Sequence, residues 1–158
     1  MAIYVKIDGI KGNVTTDGYA DWIEVESMAW GVGRAIITEP GRVADREGTM
    51  PSLSEVTMVK AMDKASPYLF TETVSGAAKP VEIHVMRTDA AGSTAYVQYE
   101  LDNCLISSYS VNSGGGRPSE TFALNFTKLI MKYIPGKEDH SVDAPIPAGY
   151  DIETAKKV

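Results

Sequence analysis

Alternation of apolar and polar residues with a period of two dominates the chain. Ile3, Val5 and Ile7 fall on one side of a strand pattern, with Tyr4, Lys6 and Asp8 on the other. Val81, Ile83 and Val85 alternate with Glu82, His84 and Met86, and Val97, Tyr99 and Leu101 alternate with Gln98, Glu100 and Asp102. Each run predicts a strand with one buried face. Turn residues from Asp8-Gly9 to Asp17-Gly18 follow the first strand.

Two further strands change phase midway. Across 22–32 the apolar set is first Ile23 and Val25, then Met28, Trp30 and Val32. Across 121–133 it is first Phe122, Leu124 and Phe126, then Leu129, Met131 and Tyr133. A strand that swaps its buried face needs a bulge, or must leave one packing environment for another. The residues near Glu26-Ser27 and Thr127-Lys128 are therefore expected to mark a bend, or a passage from core to subunit interface. Closed and oligomeric barrels use both devices.

One helix is signalled. Ser66 suits its N-cap, Pro67 its first position and Gly76 its stop, with Tyr68, Leu69, Thr73 and Val74 offered as one apolar side. Residues 34–52 show no sustained periodicity, and they mix Ile36, Ile37 and Val43 with Arg34, Arg42, Arg46 and Glu47. They read as an extended loop that orders against a partner; the plainer alternative is a floppy surface loop. The tail 135–158 is rich in Pro, Gly and charge, with Tyr150 and Ile152 as its anchors. No solenoid-length repeat is present. A length of 158 residues suits one domain over 1–158.

Charge narrows the partners. The net charge is -6 and the basic residues are dispersed, so neither nucleic acid nor an anionic membrane surface is expected as a partner. Cys104 is the single cysteine and reads as a small core residue. The N-terminus shows no secretory-signal pattern, and no apolar stretch of membrane-spanning length occurs. The expectation is synthesis in the cytoplasm, with any export by a route that reads no cleaved signal.

No constellation carries chemistry. His84 lies on a strand pattern and His140 in an acidic loop; with Cys104 they match no zinc spacing. Gly114, Gly115 and Gly116 lack the context of a phosphate-binding loop and read as a hinge or hairpin turn. Ser107, Ser108 and Ser110 have no nucleophile-elbow context. Glu24 and Glu26 share a strand face, which is more often solvated or interfacial than an acid-base pair. No catalytic, metal or cofactor residue is assigned, and no cofactor is expected.

In order and spacing, several segments together resemble the Hcp (haemolysin-coregulated protein) family of type VI secretion. These are residues 3–12, the Trp22 to Gly31 strand with its Ala29-Trp30-Gly31 end, and Met62 to Leu69 entering the helix. Residues 105–128 around the glycine turn and the closing Gly149-Tyr150-Asp151-Ile152 complete the set. The resemblance covers essentially the whole chain. It implies a mainly β, compact two-sheet antiparallel β-barrel with one short flanking helix, like phage tail-tube proteins. It also implies a homohexameric ring, stacking of rings into a tube, and expulsion by a contractile sheath behind a VgrG-type spike. Small effector proteins would ride in the lumen. The chain departs from many relatives in carrying Met28 near Trp30, and Glu39-Pro40-Gly41-Arg42-Val43 in the long loop.

On this reading Ser27, Ala29 and Thr57 face the lumen, and Arg34, Arg42, Val43, Arg46 and Glu47 serve ring stacking or inter-subunit contact. The alternatives are a ring-forming effector chaperone or adaptor that builds no tube, and a small β-barrel enzyme.

Overall fold

The computed structural model describes residues 1–90, 92–139 and 141–158. In chain order the strands are β1 (Ile3–Ile7), β2 (Ile23–Val25), β3 (Ser27–Ala29), β4 (Val32–Gly33), β5 (Ile36–Ile37), β6 (Glu47–Gly48), β7 (Ser52–Leu53) and β8 (Val56–Ala61). Helix α1 (Ser66–Ser75) follows, then β9 (Lys79–Asp89), β10 (Gly92–Asn112), β11 (Ser119–Asn125), β12 (Lys128–Tyr133), β13 (Ile146–Asp151) and β14 (Lys156–Lys157). His140, placed above in an acidic loop, lies outside the described residues.

The expected two antiparallel sheets are present. One runs β2-β1-β9-β10-β12-β13-β14 and the other β3-β8-β11-β10. β10 is long enough to serve both: residues 97–102 pair with β12, and residues 105–112 pair with β11. Among the described residues, no unbroken ladder closes the barrel. The break falls at Glu26, where the strand leaves β1 and joins β8, and the Glu26 N–H donates to Val59 O at 2.7 Å. That is the bend the phase change required. The second phase change behaves alike: β11 pairs with β8, then Thr127 N–H donates to Asp102 O and β12 continues in the other sheet.

The core fills the space between the sheets. Val5, Ile23, Met58, Ile83, Leu101, Phe122 and Leu124 are all buried, each on the parity that the alternation assigned, save Met58 on β8. Tyr4 is buried on the opposite parity, because the 8–22 segment folds over it: its hydroxyl pairs with Thr16 Oγ1 and its ring lies against Tyr19.

The helix corrects two expectations. Its N-cap is Ala65, without a side-chain cap, and Ser66 is already helical. Asp63 does the capping work instead, accepting the Ala65 N–H at 2.9 Å. Of the apolar side, Leu69 is buried, whereas Tyr68 and Val74 are exposed together with Phe70. Gly76 ends the helix, as expected, and does so in extended backbone. Glycine is needed there because a Cβ would come within 2.5 Å of the Glu72 carbonyl oxygen.

Residues 34–52 are an arm, not an irregular loop. Val32 pairs with Leu53 and Gly33 with Ser52; farther out, Ile36 pairs with Gly48 and Ile37 with Glu47. A 3-10 turn, Val43–Asp45, lies at the tip. Every residue from 31 to 50 is exposed. With neither face buried, the ribbon has no reason to alternate, so its strands leave no period in the sequence.

Candidate assembly surfaces

The registers place the expected lumen residues together. Ala29, Thr57, Ala123 and Ser108 form one row across β3, β8, β11 and β10, and Ser27, Val59, Thr121 and Ser110 form the next. Their neighbours in sequence, Met58, Phe122 and Leu124, point into the core, so both rows lie on the outward face. Every side chain in the rows is small and uncharged. Ser108, Ser110, Thr121 and Ala123 were missed from sequence, although the positions between Phe122 and Leu124 already marked them.

This four-stranded sheet has two open edges. Among the described residues, β3 pairs with β8 alone, and residues 105–112 of β10 pair with β11 alone. The edge sequence Leu-Ile-Ser-Ser-Tyr-Ser-Val-Asn has no charge and no proline, and Leu105 and Val111 are exposed on it. At the far edge of the other sheet, Pro147 sits in β13 and the partner strand is Lys156–Lys157, the usual devices against strand addition. The β13/β14 edge is thus guarded, whereas the 105–112 edge carries neither charge nor proline.

Arg34, Arg42, Val43, Arg46 and Glu47 all lie on the arm, apart from the lumen rows. Arg42 meets Glu39 at 3.7 Å across solvent. The arm leaves the rim where Ala29 and Val56 lie; at the opposite rim are Ala61, the 8–22 turn, the start of α1 and the glycine turn. Gly114, Gly115 and Gly116 join the paired residues Asn112 and Ser119, so they form a hairpin turn, with Gly115 at φ +95°.

Beneath that second rim sits a buried ionic group that the sequence did not reveal. Lys60 and Glu120 are fully buried, with Lys60 Nζ 2.7 Å from Glu120 Oε2 and 2.7 Å from Asp63 Oδ1. Tyr109 donates to Glu120 Oε1 at 2.5 Å, and Lys60 also donates to Ala61 O. Burial pushes the Glu120 carboxyl up, but hydrogen bonds from Lys60, Ser66 and Tyr109 outweigh it and hold it below its ordinary range. Burial, with the Glu120 contact, pushes the Tyr109 phenol up. Glu120 shares the parity of Phe122 and Leu124, a signal that could have placed it inside.

His84 lies among aromatic side chains. Its Nδ1 lies 2.9 Å from the Tyr19 hydroxyl and its ring 4.9 Å from that of Trp22. Burial lowers its pKa.

The fold is shared with proteins of type VI secretion. A solved structure described as a type six secretion system protein matches with a TM-score of 0.88 at 27% identity, covering 99% of both chains. Hcp1 from Salmonella typhimurium matches at 0.78 and 24% identity, covering 99% of this chain and 98% of its own. A type VI secretion system effector from Yersinia pestis matches at 0.74 and 23%, covering 94% and 98%. No curated protein sequence matches the chain. The family described as "Type VI secretion system effector, Hcp" matches residues 4–133, and the chain belongs to that family.

Proposed function

We propose that this chain is a subunit of the type VI secretion tube, closing into a homohexameric ring by pairing its two open sheet edges. The observation that carries this reading is the four-stranded sheet with an uncharged small-residue face and two open edges. An edge of one copy meets the opposite edge of the next. Such a heterologous contact closes a ring when its rotation allows. The small neutral face then lines the bore, where Ser27, Ala29 and Thr57 neither block passage nor hold cargo irreversibly.

The arm makes the head-to-tail contact between rings. The tube is pushed by a contractile sheath behind a VgrG-type spike, and it carries and stabilises small effector proteins in its lumen. Made in the cytoplasm, the subunit leaves the cell with the fired tube. The chain works by assembly and not by catalysis.

The test is particle mass and shape. The parent should form a six-membered ring with an open centre. Leu105→Lys combined with Val111→Lys puts charge on the open edge and should give folded monomers, by circular dichroism and light scattering. A ring of unchanged mass would reject edge pairing. Ala29→Arg should spare the ring and abolish effector stabilisation, while deletion of residues 40–49 should spare the ring and abolish stacking.

A further inference from the structure

The rim opposite the arm carries a cleft of about 650 Å³ lined by Gly9, Lys11, Lys64, Pro67 and Tyr68. Tyr68 is largely exposed on it. Both ammonium groups lean on one carboxylate: Lys11 Nζ lies 3.8 Å from Asp21 Oδ2, and Lys64 Nζ lies 3.5 Å from Asp21 Oδ1. The cleft therefore holds an apolar wall and one cation in excess. The arm tip offers the complement. Arg42 is neutralised by Glu39, which leaves Val43 exposed and Asp45 without a cation partner among the described residues.

From these features we infer that the cleft is the socket for the arm tip of a second copy of this chain in the next ring. Val43 packs on Pro67 and Tyr68, and Asp45 meets Lys64 or Lys11. The inference rests on the arm-stacking reading above. Reach supports it: residues 32–43 of a ribbon extend roughly 30–40 Å at ~3.3 Å per residue, enough to cross from one ring into the next. Charge complementarity supplies register and partner choice, while the apolar contact supplies most of the attraction.

Mixing two single-cysteine variants tests it. Val43→Cys rings and Tyr68→Cys rings, mildly oxidised together, should give disulfide-linked dimers. Native Cys104 is buried and does not compete. Glu82→Cys, on the other sheet, serves as the control partner. Adding Lys64→Glu to the Tyr68→Cys rings should lower the yield about fivefold, the factor that ~1 kcal/mol corresponds to; Asp45→Lys in the Val43→Cys rings should then restore it. A yield no greater than with Glu82→Cys overturns the socket. If deletion of 40–49 still abolishes stacking in that case, the arm reading stands and only its seat is wrong. If that deletion leaves stacking intact, both fall.

Discussion

Replacing Lys60 with Met should invert the pH response of this protein. Lys60 sits at zero exposure between Glu120 and Asp63, whose side chains are 0% and 7% exposed. Met fills similar volume but leaves two buried carboxylates facing each other without a cation. Removing one partner of a buried pair costs about 3–5 kcal/mol, a large share of the ~5–15 kcal/mol that holds a typical domain folded. In the parent, the Glu120 pKa is depressed on folding. Its contribution is present above the unfolded value and is lost as pH falls through the folded one. In Lys60→Met the Glu120 carboxyl keeps the burial that raises its pKa but loses its cation, so stability should rise as pH drops from 7 toward 5. Urea unfolding followed by tryptophan fluorescence, at fixed protomer concentration, measures both slopes. A loss under about 1 kcal/mol at pH 7, or a pH slope like the parent's, would refute the reasoning. Glu120→Gln should cost less, about 1–3 kcal/mol, because Asp63 still faces the lysine.

Leu69→Ala should cost about 2–5 kcal/mol, since Leu69 is the buried residue that docks α1 on the sheet; calorimetry of the variant measures it. Cys104 should resist a thiol reagent at pH 8 in the folded chain and react at once in urea, because burial pushes its pKa up to about 12. Gly115→Val should destabilise the glycine turn, by roughly 1–2 kcal/mol from the left-handed backbone alone, read as a lowered urea midpoint.

Strand identity and the two sheet changes were legible because burial leaves a period in the sequence. Ile23/Val25 against Met28/Trp30, and Phe126 against Leu129, recorded a change of face. The same logic explains what stayed hidden. The arm buries nothing, so Ile36 and Ile37 gave no rhythm. Lys60 and Glu120 sit at core parity with the charge of surface residues, and only their mutual contact makes that tolerable. Ser66 resembled a cap, but the backbone was already helical there and Asp63 took the role. Ser27 and Ala29 lie on a strand the alternation had marked, whereas the strand of Thr57 was not; the rows these residues share with Thr121 and Ser108 needed registers that only pairing supplies.

β10 belongs to both sheets through one unbroken backbone of 21 residues. The proposed tube, driven forward, would load its subunits along the axis, and in most two-sheet proteins such load slides one sheet over the other by tearing side-chain packing. Here residues 97–102 are clamped by β9 and β12, and residues 105–112 by β11. Sliding the sheets apart would have to stretch covalent chain or unzip a ladder along its length. The fold therefore resists shear in the manner of a stitched seam, where the thread passes through both layers.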